Sequence, residues 1–325
     1  MSDRPLVTFA LFAYNQSRFV REAVEAAFAQ TYSPLQVILS DDCSTDDTFA
    51  IMEAMAAEYR GPHRVVLNRN PKNLHIGRHV NRVMELVEGE FVVPAAGDDV
   101  SLPHRTETII NTWLAGGKQA RSIHSAIIEM DEGGRDLGQR SFPNPERLDD
   151  RRAIARHGHS VLGASQCYAR EVFERFGPML PEVINEDSVI PFRAALLGTV
   201  AYVDEPLVRY RVNQSTWHTN RGEPKTSAEY RERMAFLYGT TRFINAQAYV
   251  DAVRFGDPEI EALVLARIAE HALYREVCER PMPRLGTLGR GLVEGVDPLR
   301  LAMTNLKLWV PGFNSRYLAL KRGLR

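Results

Sequence analysis

The sequence has few cysteines and no dominant sign of charge. Cys43, Cys167 and Cys278 are the three cysteines in 325 residues. They are odd in number and widely spaced, which argues against a disulfide framework or a zinc knuckle. Lys plus Arg number 40 and Asp plus Glu number 41. That balance gives no general attraction for nucleic acid, and no nucleic-acid partner is expected. No uninterrupted apolar run is long enough to span a bilayer. The opening MSDRPLVTFALF is charged and then only briefly apolar, unlike a secretory leader, so a cytoplasmic location is the default expectation. Glycine is missing from the turn after the first apolar run, Ala13-Tyr14-Asn15-Gln16-Ser17. A nicotinamide-dependent oxidoreductase needs a Gly-x-Gly-x-x-Gly turn there, and a sugar nucleotidyltransferase needs a glycine-rich phosphate loop.

What is present is an ordinary globular composition, 44% apolar and 25% charged, in a regular order. Leu6 to Phe12 reads as a strand buried on both faces. Ser17 is a candidate cap for the helix that follows, with Phe19, Val20, Ala23, Val24, Ala27 and Phe28 on one face. Leu35 to Leu39 is a second strand, residues 47–59 a helix, Arg64 to Leu67 a third strand, residues 78–87 a helix, and Phe91 to Pro94 a fourth strand. This alternation predicts a doubly wound, mostly parallel α/β sheet flanked by helices. Further on, the pattern predicts a helix from Pro103 to about Trp113, a strand over 122–130, and a loop over 131–150. It then predicts a strand over 163–168, helices over 171–176 and 186–197, and a strand over 200–203. From Thr226 the pattern is helical, and Asp257-Pro258 reads as the cap and first residue of a helix.

Three strand ends carry polar groups: Tyr14-Asn15, Asp41-Asp42 and Asp98-Asp99. In a doubly wound sheet ligands sit beyond the carboxyl ends of the strands, so the three are expected to converge on one crevice. Asp98 and Asp99 follow a buried strand through Gly97. Two adjacent carboxylates repel each other, and a positive group is expected to meet them. The structural alternative is a turn and helix cap ahead of Pro103.

The stretches LVTFALFAYNQSRFVREAV, QTYSPLQVILSDDCSTDDT, NLHIGRHVNRVMELVEGEFVVPAAGDDV and GASQCYAREVFERFGPMLPEVINEDSVIPFRAALLGTVAYVDEPLVRYR occur in the order of the segments of the family 2 inverting glycosyltransferases. Over roughly residues 5–220 the chain resembles that family, which has the GT-A fold. The resemblance implies a GT-A domain over 1–222, with a nucleotide-binding half (1–100) and an acceptor-side half (101–222). Residues 223–325 would then be a helical C-terminal extension. It implies a hexosyltransferase that moves a sugar from a nucleoside-diphosphate donor, with uridine diphosphate the expected nucleotide, to a hydroxyl of a glycan or lipid-linked glycan in surface polysaccharide biosynthesis. A non-catalytic nucleotide-sugar or glycan-binding module on the same fold is the alternative. Its support is that Ala96 stands where the family has the first Asp of its acidic motif, and Asn213 where the family often has His.

By the same resemblance Asp99 binds a divalent cation, Mn²⁺ or Mg²⁺, and Asp98 meets the ribose or the cation's water shell. Such ions take hard oxygen ligands, often one or two carboxylates plus substrate phosphates. Tyr14 would pack on the nucleotide base, with a half-buried core role as the alternative. Asp42 would accept from uracil N3–H, unless it merely starts the turn at Ser44-Thr45-Asp46. Arg78 would approach the diphosphate, or lie free on the surface. Inversion needs a base to take the acceptor hydroxyl's proton. The family match assigns this to Asp187, with Glu186 orienting acceptor or backbone. The alternative is that both acids favour a helix N-terminus. His218 is a candidate replacement metal or phosphate ligand, and Trp217 a candidate sugar platform. The tail LAMTNLKLWVPGFNSRYLALKRGLR is basic with interleaved aromatics. It is a candidate for peripheral contact with the inner face of a membrane, with a helical cap or a homodimer contact as alternatives.

Overall fold

A computed structural model describes residues 4–143, 148, 150–212 and 226–279. They divide into two compact units, one within 1–154 and 158–219 and one within 155–157 and 220–325.

The first unit begins with β1 (Val7–Ala13), α1 (Val20–Phe28), β2 (Leu35–Asp41), α2 (Thr48–Glu58), β3 (Arg64–Arg69), α3 (His75–Met84) and β4 (Phe91–Ala96). Strands β3-β2-β1-β4 are parallel neighbours. The runs of β1, β2 and β4 are buried on both faces, with Val7, Phe9, Leu11, Val37, Leu39, Phe91 and Val93 fully buried on one and Ala10, Ile38 and Val92 on the other, whereas edge strand β3 is partly exposed. Each such Val, Leu, Ile or Phe side chain contributes about 1.5–3 kcal/mol relative to exposure. Val20 and Val24 of α1 join this core, with Ile109, Ile110 and Trp113 of α4 (Arg105–Ala115). Short β5 (Val100–Ser101) precedes α4.

The sheet continues through β6 (Ala120–Met130), β7 (Asp136–Arg140), β8 (Cys167–Ala169) and β9 (Thr199–Arg211). Here the pairing is mixed. β8 is antiparallel to β4 and β6, β9 is parallel to β6, and β5 is antiparallel to β9. Helices α6 (Glu171–Phe176) and α7 (Glu186–Leu197) complete this stretch, and α5 (Arg151–His157) lies between β7 and β8 in sequence, with its residues 155–157 belonging to the second unit. In the second unit α8 (Ser227–Phe255) packs on α9 (Pro258–Glu279), with Tyr230, Met234 and Tyr238 against Leu273, Tyr274 and Cys278. Thr226 caps α8 by accepting from the Glu229 amide at 3.1 Å, and Asp257 accepts from the Glu259 amide at 3.0 Å.

Four local expectations are corrected. Ser17 does not cap α1, which starts at Val20 without a side-chain cap; the Ser17 amide instead donates to Asp46. The 131–150 stretch contains a strand, β7, which pairs with the end of β6 across a register shift at Glu129/Met130. The strand at 200–203 runs on to Arg211 through Asp204-Glu205-Pro206, and the ladder shifts register there to admit the proline. Residues 163–165 form a 3₁₀ turn before β8. Among the described residues no helix is long and apolar enough to cross a membrane.

Candidate functional site

Parallel register brings the polar strand ends to one edge. Ala13 pairs with Asp41, and Phe12 with Ala96. The Asp42 amide donates to the Ala13 carbonyl at 2.9 Å, and the Gly97 amide to the Phe12 carbonyl at 2.8 Å. Tyr14, Asp42 and Asp98 therefore stand one or two residues beyond neighbouring strand ends. The β1–α1 turn is tied to the β2–α2 turn. Asn15, at φ 51°, donates its amide to Ser44 Oγ at 2.8 Å and accepts from the Thr45 amide at 2.8 Å. Burial works against ionisation of Asp46, but hydrogen bonds from Thr48 and Ser17 overcome it and hold the carboxyl down to about 2.

The two aspartates ending β2 have different partners. Asp41 organises its own turn: Ser44 donates to it through its hydroxyl and its amide, and Arg69 lies 3.6 Å away. Asp42 reaches sideways, where Oδ1 accepts from Asn70 Nδ2 at 2.8 Å and from the Leu74 amide at 2.9 Å. Beneath it His79 is buried, bonded to Ser40 Oγ at 2.6 Å and edge-on to Phe12 at 5.0 Å. Burial lowers the His79 pKa to about 4 against the pull of Asp42 and Asp41, so the ring is neutral. Tyr14 is 43% exposed at this edge, which suits a stacking surface better than a core residue.

A cleft of about 260 Å³ opens in the first unit, beside the end of β4. Asp98 and Asp99 line it, as does Glu186 at the start of α7. Burial raises the Asp98 carboxyl above the usual range; burial and the neighbouring Asp98 charge raise Asp99 well above it. Asp99 Oδ1 accepts from the Arg211 amide at 2.9 Å. This pair of buried, mutually repelling oxygen donors is a donor set that a hard divalent cation fits. Among the described residues no group of three or more His, Cys, Asp or Glu side chains is clustered to hold a metal. His218, Asn213, Trp217 and the basic tail lie outside the described residues.

Glu186 and Asp187 occupy the first turn of α7. Burial and the Asp187 charge raise the Glu186 carboxyl, and burial raises Asp187 to about 6 despite a hydrogen bond from Ser188. A carboxylate in that range is ionised at neutral pH and still basic enough to take a proton. Gly163 lines the cleft, and a Cβ there would touch Glu186 Oε1 at 3.4 Å and come within 3.8 Å of Asp187 Oδ2. Both acids thus face the same glycine. Glu186 is the one that lines the cleft itself.

Arg78 is not brought to this cleft. Ile76 and Val80 of α3 line it, and Arg78, two positions from each, points away and is exposed. Two buried cations were not anticipated. Arg105 is fully buried and donates to Ser101 Oγ at 2.8 Å and to the Ala164 carbonyl at 3.1 Å, and its charge favours ionised Asp99. Arg211 lies over the Phe19 ring at 4.5 Å; it donates to the carbonyls of Asp98, Asp131 and Glu132 and to Glu22 Oε2.

Residues 8–177 match the model of a family described as glycosyl transferase family 2. The succinoglycan biosynthesis protein ExoO of Rhizobium meliloti is 29% identical over 174 residues, 53% of this chain and 48% of ExoO. Among solved structures, the mannosyltransferase PcManGT from Pyrobaculum calidifontis, in complex with GDP-Man and Mn²⁺, has a TM-score of 0.56 at 18% identity. That match covers 98% of this chain and 81% of PcManGT. S. aureus TarS in complex with UDP has a TM-score of 0.55 at 15% identity, covering 93% of this chain and 87% of TarS. What the chain shares with these two structures is the GT-A fold.

Proposed function

The chain belongs to glycosyl transferase family 2 and is a glycosyltransferase, and from that premise we propose that it is a metal-dependent, inverting enzyme. It moves a sugar from a nucleoside diphosphate, uridine diphosphate foremost, to a hydroxyl of a glycan in polysaccharide biosynthesis. The observation that carries this reading is the meeting of Asp98, Asp99 and Glu186 in one cleft, with Asp187 beside Glu186.

Asp187 takes the proton of the acceptor hydroxyl. The acceptor oxygen attacks the anomeric carbon from the face opposite the diphosphate. The bond from that carbon to the β-phosphate oxygen breaks, and its electron pair stays on the phosphate. Glu186 holds the acceptor. Asp98 and Asp99 are the residues that would hold Mn²⁺ or Mg²⁺, which as a Lewis acid offsets the charge of the leaving diphosphate. Tyr14 stacks on the base, and Asp42 accepts its N–H. Uracil N3–H and guanine N1–H both fit that acceptor, whereas cytosine has no donor at the equivalent atom. The complexes of TarS with UDP and of PcManGT with GDP-Man agree with a donor-bearing base. The name of ExoO supports a polysaccharide as the acceptor class. A basic tail on a membrane surface would bring a lipid-linked acceptor to the site.

The test is a binding panel of UDP, GDP and CDP with and without Mn²⁺, read by thermal shift. The reading expects Mn²⁺-dependent stabilisation, by UDP most and CDP least. Equal responses to all three, or none, contradict it.

A further inference from the structure

Beside its acidic residues the cleft has a largely apolar wall. Ile76 and Val80, four residues apart on α3, face it together, joined by Phe12, Pro94, Ala96 and Ile190. Val80 is 3% exposed and Ile190 is fully buried. The other polar side chains have partners. Gln166 Nε2 donates to Ser122 Oγ at 3.2 Å, and Tyr168 Oη to Met84 Sδ at 3.8 Å. The Arg211 guanidinium is taken by backbone carbonyls and Glu22. Asp98 and Asp99 are assigned to the cation and Glu186 to an acceptor hydroxyl, so the apolar wall itself offers no hydrogen-bond partner. A hydroxymethyl group against the apolar wall would lose its hydration without gaining a partner, whereas a methyl group gains from burial there.

Resting on the glycosyltransferase reading, we propose that the donor sugar is a 6-deoxyhexose whose methyl group seats against Ile76, Val80, Phe12 and Pro94. The side chain at position 80 is the main determinant. It is buried and belongs to a helix that Gly77 holds close to the 183 backbone: a Cβ at Gly77 would overlap the Val183 carbonyl. The wall is therefore fixed and cannot readily retreat to admit a solvated hydroxymethyl group.

The experiment uses the full chain with Mn²⁺ and a matched pair of donors, one nucleotide carrying either a hexose or its 6-deoxy counterpart, beside the free nucleoside diphosphate. The 6-deoxy donor is expected to bind at least about tenfold more tightly than the hexose donor. Val80→Thr keeps the side-chain shape and offers a hydroxyl partner, and is expected to shrink that ratio. Ile76→Thr, at a half-buried position, does the same if Val80→Thr fails to fold. Binding of the free diphosphate with equal or reversed preference within the pair overturns this inference and leaves the glycosyltransferase reading intact. An N-acetylhexosamine donor that outcompetes both also overturns it. Failure of the free diphosphate to bind removes the underlying reading, and this inference with it.

Discussion

The backbone amide of Arg211 donates to Oδ1 of Asp99 at 2.9 Å, joining the last residue of β9 to the acidic pair after β4. The same residue's guanidinium spans Asp98, the β6–β7 turn and Glu22. One residue thus ties the acidic pair to the end of β9 and to the β6–β7 turn. The amide contact survives any ordinary substitution, so a mutation here removes the guanidinium alone.

Arg211→Ala is expected to destabilise the protein by about 2 kcal/mol, since it empties the space of a buried side chain and leaves three part-buried carbonyls without their donor. Arg211→Lys recovers only part of this, because an ammonium cannot reach all of those acceptors at once. Urea unfolding of the full chain measures both. A loss below about 0.5 kcal/mol for the alanine variant contradicts the role.

The acidic pair links cation binding to pH. Asp98 and Asp99 titrate above the usual carboxylate range in the folded chain, so the fold holds their protons more tightly than the unfolded chain does. Their burial therefore costs stability as pH rises from the unfolded value, about 4, toward the folded values. A divalent cation offsets that cost only where the carboxylates can ionise. Mn²⁺ is expected to raise Tm more at about pH 7.5 than at about pH 5, with the difference lost in Asp99→Ala. An equal rise at both pH values places the cation elsewhere.

Asp42 is held by Asn70 and by the Leu74 amide through one oxygen, Oδ1. In Asp42→Asn the amide oxygen can keep those two bonds and turn its NH₂ toward the base. That exchanges an acceptor for a donor. UDP affinity is expected to fall at least about tenfold and CDP affinity to rise, because a site built for one hydrogen-bond partner rejects its opposite. Unchanged selectivity removes Asp42 from base recognition.

The parallel half of the sheet was legible because its strands are continuous apolar runs, such as Leu6–Phe12, punctuated by polar turns. The acidic pairs were legible as doublets at element boundaries. β7 was not, since Asp136–Arg140 is exposed throughout and carries no apolar alternation. The continuation of β9 was hidden by Asp204-Glu205-Pro206, a turn-like triplet that the sheet absorbs at a register shift. Ser17 looked like a cap by composition, but Asp46, distant in sequence, claims its amide. The placement of Arg78 depended on helix phase, which the start of α3 at His75, with φ 61°, fixes and sequence alone did not. Arg211 is bound mainly through backbone carbonyls, and Arg105 through Ser101 Oγ, Cys167 Sγ and the Ala164 carbonyl; no residue pattern announces such partners.

The most direct measurement is donor turnover by Asp187→Asn against the wild-type chain, with donor affinity measured alongside and the wild-type rate followed across pH. The account predicts a wild-type rate that rises with pH through about 6, as the Asp187 carboxyl ionises. It predicts a loss of about a hundredfold or more in the variant, with donor affinity retained. A folded Asp187→Asn protein that turns over donor at the wild-type rate contradicts it.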